Sequence, residues 1–268
     1  TCALPIYEIN MHPYLNIATG AARKAGRDIA KSIDNLDRVT VSQKSLNDFV
    51  TNIDEYAEEI IVEEILSAYP DHGIIGEETG KSNPDADTIW IIDPISATLN
   101  FIHGFPHISI SIAVEHQGLL TQGLIYDPLR QELFMASKGN GATLNGKRIR
   151  VSPKKYLAET IVGTGLPSSR DKNKIDSYTQ QFSRVASSCI DVRCSGSTAL
   201  DLAYVACGRL DAFWKSGLSP WDVAAGIVIV REAGGYVSDF KGGNDTLLMN
   251  GDIVASTPKL HTKILNEL

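Results

Sequence analysis

Apolar residues recur at helical spacing from residue 11 to residue 33, where Leu15, Ile17, Ala18, Ala21, Ala22 and Ala25 are interleaved with Arg23, Lys24, Arg27 and Asp28; the pattern predicts a first amphipathic helix. A short strand over 47–51 and a second helix over 53–68 follow, closed by the turn Tyr69-Pro70-Asp71-His72-Gly73. Two apolar runs, 74–76 and 89–92, read as buried strands, and each ends directly in carboxylates, Glu77-Glu78 and Asp93. From His107 to Ser137 the period changes to two, through Ile108, Ile110, Ile112, Leu124, Tyr126, Leu133 and Met135, which predicts an antiparallel meander. Beyond Val151, strands over 160–164, 190–193, 210–214, 235–238 and 253–255 alternate with helices over 172–188, 197–207, 221–232 and 259–268. Mixed layers of helix and sheet result, as a single domain over 11–268 with one weak lobe junction near 151–156.

Composition narrows the class. With 25 Lys+Arg against 32 Asp+Glu, the net charge of −7 argues against a basic groove for nucleic acid. The most apolar stretch, 88–114, is broken by Asp93, Asn100, His103 and His107 and by two prolines, so no membrane span is expected. The four cysteines lack CxxC spacing and read as core filler in a reducing, cytoplasmic interior. Residues 1–10 have no charged start and do not form a signal peptide; they read as a non-native leader before a natural start at Met11.

Three acids stand where a structural role alone explains them poorly: Glu77 in GEETG, Asp93 in WIIDPISATLN and Asp222 in SPWDVAAG. Singly, each has a plain alternative as a solvated loop acid, a turn opener before Pro94 and a helix N-cap. Together they follow apolar or turn-rich segments and would converge at the carboxyl end of one sheet, where ligands of open sheets bind. Such a cluster suits Mg²⁺, a hard cation held by carboxylates, water and phosphate oxygens, which activates water and neutralises charge in phosphate hydrolysis. A helical turn beginning at Ser96-Ala97-Thr98 would add free N–H groups for an anion. The constellation reads as a phosphomonoester site.

GEETG, IWIIDPISATLNFIHGFPHISISIAV and PWDVAAGIVIVREAGG, together with SQKSLNDFVTNID and CSGSTALDLAYVACGRLDAF, resemble the signatures of the inositol monophosphatase family, over essentially residues 11–268 and most nearly in its bacterial inositol-1-monophosphatase branch. The resemblance implies a layered αβαβα sandwich of the α+β class. It implies a Mg²⁺-dependent, Li⁺-sensitive hydrolase of inositol 1-phosphate or a related polyol phosphate, often a homodimer. It also implies the site. Glu77, Asp93 and the carbonyl of Ile95 match the ligands of a first metal; Asp93 and Asp222, with Ser96 at an altered position, match those of a second. Asp54 matches an acid near a weaker third metal. Thr98 matches the hydroxyl that works with Glu77 to orient the attacking water, and Asp48 the acid that supports Thr98. Ile95, Ser96, Ala97, Thr98 and Asp222 would border the substrate, while Arg193, Ser195, Gly196 and Ser197 lie where the family contacts the sugar ring or the partner subunit.

The chain departs from the family at three positions. The pattern D-P-[IL]-D-G-T is Asp93-Pro94-Ile95-Ser96-Ala97-Thr98 here. Ser96 replaces a ligand Asp and brings no charge, so the second metal should bind weakly. Ala97 replaces a Gly and is tolerable only if its φ is negative and its Cβ has room. Lys215 stands where the family usually has a Glu that accepts substrate hydroxyls, so it either turns into solvent or changes the preferred substrate, toward bisphosphorylated compounds for example. Two functions of different class follow. One is a Mg²⁺-dependent phosphatase, slowed or altered in specificity. The other is a catalytically weakened homologue acting as a binding partner, for instance of the transcription machinery, a role with which members of the bacterial branch are associated. The retained Glu77, Asp93, Thr98 and Asp222 favour the enzyme. His103 and His107 are expected to pack a loop, and Trp90 and Trp221 to brace the metal-bearing loops.

Overall fold

The structure is a computed structural model that describes residues 11–45, 48–167, 171–243, 248 and 251–268, the side chains of Ser45 and Asp48 excepted. The expected leader, residues 1–10, lies outside the described residues. Helix α1 (Pro13–Ile33) begins at its proline, with Nδ1 of His12 accepting from the Tyr14 N–H at 3.2 Å. Its stripe of Leu15, Ala18, Ala22, Ala25 and Ile29 is buried with the apolar face of α2 (Asn52–Ala68), and the two helices cover one face of a large sheet. Between them in sequence stand one 3₁₀ turn (Leu36–Arg38) and a hairpin of β1 (Val41–Ser45) and β2 (Asp48–Thr51).

The large sheet takes β3 (Gly73–Gly76), β4 (Gly80–Ser82), β5 (Thr88–Ser96), β6 (Ser109–His116), β7 (Leu119–Asp127), β8 (Glu132–Ser137), β9 (Gly141–Leu144) and β10 (Lys147–Arg148) in the order β10-β9-β8-β7-β6-β5-β3-β4. Neighbours are antiparallel except β3 and β5, which run parallel. The expected meander is β6–β8. β4, β9 and β10 extend the sheet beyond what periodicity shows, because runs of two to four residues at an edge carry no alternation to read.

A second sheet of β11 (Ile161–Thr164), β12 (Asp191–Arg193), β13 (Ala212–Lys215), β14 (Tyr236–Ser238) and β15 (Ile253–Ser256) has the order β12-β11-β13-β15-β14. Helices α5 (Thr198–Ala206) and α6 (Pro220–Glu232) are buried between the two sheets, so α6 is apolar all round from Val223 to Val230 rather than along one stripe. Gly123 of β7 permits this approach, since a Cβ there would lie 2.5 Å from the Ala225 carbonyl oxygen. Outside the second sheet, α4 (Lys172–Ser188) and α7 (Pro258–Leu265) bring Val185 and Ile264 onto Val162, Ala212, Trp214 and Val254. The layers are αβαβα, as the resemblance implies. Residues 151–156 carry no helix or strand and lead from β10 toward β11, while the core is continuous from Ile91 and Phe134 of the first sheet to Phe213 and Ala255 of the second.

Cys207 and Cys189, half-buried at helix ends, pack against the hydrophobic core as expected, whereas Cys194 is exposed after β12 and is not core filler; Cys2 lies outside the described residues. No helix among the described residues is long and apolar enough to cross a membrane.

Candidate active site

Parallel pairing of β3 and β5 sets two of the three acids side by side. Gly76 pairs with Ile92, and the Glu77 N–H donates to the Ile92 carbonyl at 3.2 Å, one residue before Asp93. β5 does not end at Asp93 as expected but runs to Ser96, with its register against β6 broken between those residues; Pro94 has no N–H to give the ladder. The third acid, Asp222, is fixed by helix capping. It is the third residue of α6, and its Oδ2 accepts the Ser219 N–H at 2.7 Å in a capping box. Glu77, Asp93, Ile95, Ala97, Thr98 and Asp222, with Phe49 and Leu99, line one cavity of about 180 Å³. A larger cavity of about 460 Å³ lies against α4 and contains none of these acids.

The acids strain one another. Asp93 is buried, its Oδ1 has no hydrogen-bond donor, and burial, Glu77 and Asp222 raise its carboxyl well above the usual carboxylate range. Burial and Asp222 push Glu77 up to about 8, against the opposing pull of Lys44, whose Nζ stands 4.0 Å from Glu77 Oε1 and 2.5 Å from Glu78 Oε2. Three mutually repelling carboxyls and an acceptor oxygen without a donor suit a hard divalent cation. The cage is incomplete, however. Among the described residues no group of three or more His, Cys, Asp or Glu is arranged to hold a metal ion by itself. Ser96 adds no charge, and its hydroxyl accepts from Ser197 Oγ, the N-cap of α5, at 3.3 Å.

Among the described side chains, the acid that supports Thr98 is Asp54. Thr98 Oγ1 lies 2.9 Å from Asp54 Oδ1 and 3.2 Å from the Ile95 carbonyl, both acceptors for its one proton. Asp54 Oδ2 takes the Thr51 N–H at 2.9 Å and the Thr51 hydroxyl, closing the capping box of α2. Both oxygens of Asp54 are thus engaged by protein donors, which leaves it poorly placed for the third metal of the sequence reading. Asp48, expected in the supporting role, has its side chain outside the described residues.

Ala97 differs from expectation. Its φ is +76°, in the left-handed region, so the alanine sits in a glycine conformation and is strained there. Lys215 has not turned into solvent: it is half-buried and its Nζ donates to Thr198 Oγ1 at 3.1 Å. Arg193 is exposed and paired with Asp191 at 2.5 Å, and Ser195 Oγ donates to Asp201 Oδ1 at 2.5 Å; neither they nor Gly196, Ser197 and Lys215 line the cavity. His103 is exposed in the loop after α3 (Thr98–Ile102). His107 is buried with Nε2 4.0 Å from Asp201 Oδ1, and burial pushes its imidazole down to about 4, so it is a neutral packing group. Trp90 packs toward α1 and α2 and donates to His72, while the Trp221 carbonyl, next to Asp222, accepts from Ser111.

Sequence reasoning missed Glu58. Its carboxylate, fully buried, accepts the N–H groups of Glu78 at 3.0 Å and Thr79 at 2.7 Å and the Thr79 hydroxyl at 2.5 Å, and so fixes the turn that carries Glu77. The turn also needs Gly76, where a Cβ would lie 2.1 Å from Glu58 Oε1. The signal was present: Asp54 and Glu58 stand four apart on the face of α2 that also carries Ile61 and Ile65.

The sequence profile of the inositol monophosphatase family matches residues 10–268. The chain is 50% identical over 251 residues to Nus factor SuhB of Escherichia coli, with 93% of each chain covered, and 47% identical over 262 residues to Nus factor SuhB of Pseudomonas aeruginosa, with 96% of each covered. Among solved structures it is similar to the extragenic suppressor protein suhB of Bartonella henselae, at a TM-score of 0.92 and 38% identity over 96% of this chain and 98% of that one. It is also similar to an IMPase of Thermotoga maritima, at 0.87 and 35% over 96% of each.

Proposed function

The chain belongs to the inositol monophosphatase family, and from that membership we propose that it is a Mg²⁺-dependent phosphomonoesterase that hydrolyses inositol 1-phosphate or a related polyol phosphate, with activity reduced by Ser96. The observation that supports this most directly is the convergence of Glu77, Asp93 and Asp222 on one cavity, with a buried Asp93 oxygen that no protein donor satisfies. When bound, Mg²⁺ supplies charge neutralisation and lowers the pKa of a coordinated water; Glu77, Asp93 and the Ile95 carbonyl would hold it, and Asp222 would be left with the uncharged Ser96 at any second position. Thr98, locked by Asp54, orients the attacking water, and Glu77 takes its proton. The water oxygen forms its bond to phosphorus as the ester P–O bond breaks, and the departing alcohol oxygen takes a proton from solvent, giving the polyol and inorganic phosphate.

A homodimer, inhibition by Li⁺ and a cytoplasmic location belong to the same reading. Its test is release of phosphate from inositol 1-phosphate by the purified chain in Mg²⁺, with Glu77→Gln as the inactive control. Release that Glu77→Gln abolishes supports the reading; no release from inositol 1-phosphate, glycerol 2-phosphate or a nucleoside monophosphate contradicts it.

The relatives named Nus factor favour a second reading, in which the chain serves as a partner of the transcription machinery and Ser96, Ala97 and Lys215 mark a relaxed active site. Co-purification of RNA polymerase with both the wild-type chain and Glu77→Gln supports it; retention by neither contradicts it.

A further inference from the structure

Lys215 is a cation whose only electrostatic partner among the described residues, Asp201, lies beyond ion-pair contact. It ends β13 half-buried, and among the described residues its one hydrogen-bond partner is the neutral hydroxyl of Thr198, with no carboxylate within 4.0 Å of Nζ. Its stem lies against Gly165, where a Cβ would come within 2.9 Å of Lys215 Cδ, so the ammonium is held in place by packing. The acid it faces, Asp201, is itself buried and already accepts the Ser195 hydroxyl. Partial burial of an ammonium is unfavourable unless an anion meets it, and a lysine with one of three donors used has two left to offer.

The ammonium is tied through α5 to the segment that borders the reaction cavity. Thr198, which it touches, follows Ser197, whose hydroxyl donates to Ser96; Ser96 precedes Ala97 and Thr98 in the cavity wall. A second tie holds the same two segments together, since the Asn100 amide of α3 donates to the carbonyls of His107 at 2.8 Å and Ser195 at 2.9 Å. The start of α5 thus connects the segment that forms the cavity wall to Lys215.

We propose that Lys215 is a specificity-determining residue that receives a second anionic group, carboxylate or phosphate, on the alcohol portion of the phosphomonoester hydrolysed at this cavity. The inference rests on the phosphatase reading for its reaction but not for its binding contact. It explains why the cation is pinned instead of lying in solvent.

Two matched substrate pairs test it: glycerol 2-phosphate against 2-phosphoglycerate, and inositol 1-phosphate against inositol 1,4-bisphosphate, with the wild type, Lys215→Gln, Lys215→Glu and Lys215→Arg. In the wild type the anionic member of each pair is expected to have about tenfold higher kcat/KM, carried by KM, which is the worth of one charge-assisted hydrogen bond. Lys215→Gln should remove the preference, Lys215→Glu reverse it and Lys215→Arg keep it. A carboxylate preference alone or a phosphate preference alone identifies which anion the site takes. Preference for the neutral member in the wild type, or an unchanged preference in Lys215→Gln, overturns the proposal. If nothing is hydrolysed, the phosphatase reading fails and calorimetry decides this one separately: 2-phosphoglycerate should bind about tenfold more weakly to Lys215→Gln than to the wild type, and equal Kd values overturn it.

Discussion

The hydroxyl of Thr98 donates to Oδ1 of Asp54 at 2.9 Å, and that contact ties the start of α3 to the start of α2. Because Asp54 Oδ2 is held by Thr51 in the capping box of α2, the oxygen that receives the Thr98 proton is fixed in place. Thr98 should act in turnover and not in binding. Thr98→Ala is expected to lower kcat about 100-fold with KM little changed, Thr98→Ser to keep most of the rate, and Asp54→Asn to cost about tenfold. Steady-state phosphate release measures all three.

Ala97 holds a left-handed φ of +76° with nothing but its neighbours to enforce it. Such a conformation costs an alanine roughly 1–2 kcal/mol, while glycine there gives back part of the difference as freedom in the unfolded chain. Ala97→Gly should therefore stabilise the protein by about 0.5 to 1 kcal/mol. Urea unfolding reads the change, and a destabilised variant would mean that the Ala97 methyl has a packing role greater than its strain.

Removing Glu58 should release the turn that presents Glu77. Glu58→Ala leaves two N–H groups and one hydroxyl without their acceptor, a destabilisation of about 3 kcal/mol or more. Glu58→Gln retains one acceptor oxygen and should lose roughly half as much. Urea midpoints give the stability; the Mg²⁺ concentration for half-maximal rate should rise in both variants, because Glu77 is no longer held.

The metal-free protein should lose stability as pH rises from about 6.5 to about 8. Glu77, pushed up to about 8, and Asp201, pushed up to about 7 by burial, bind more protons folded than unfolded, so their stabilisation is present below the ordinary carboxylate range and is lost as pH climbs through those values. His107 and His261, both pushed down to about 4 by burial, act oppositely and are complete above 6.5. Between about 4.5 and 6.5 the histidines offset only part of the loss, because Asp93, raised well above the usual carboxylate range, adds to it. Melting temperatures in EDTA should accordingly fall gently at first and more steeply above about 6.5, and Mg²⁺ should raise them more at pH 8 than at pH 6.

The architecture was legible because its long elements carry strong periods. The stripe of α1 and the alternation from Ile108 to Met135 each name a buried face, and the continuous apolar run of α6 marks a helix covered on both sides. The carboxylates Glu77, Asp93 and Asp222 were legible because each ends an apolar segment or opens a helix. What the chain hid was side-chain pairing between distant segments. Nothing local to Asp48 and Asp54 says which of them reaches Thr98; that depends on where the first turn of α2 meets α3. The left-handed φ of Ala97 and the inward turn of Lys215 depend likewise on the loops that pack around them, and Glu58 is disguised as one more acid on a helix with many.

The central claim is that this chain keeps the cation-dependent phosphatase site and that Ser96 is where it lost strength. Phosphate release from inositol 1-phosphate, followed as Mg²⁺ is raised to tens of millimolar in the wild type and in Ser96→Asp, measures it most directly. A slow wild type with a high Mg²⁺ requirement is expected, and a variant several-fold faster that saturates at lower Mg²⁺. Equal rates and equal Mg²⁺ dependence in the two proteins, or no release by either, would contradict it.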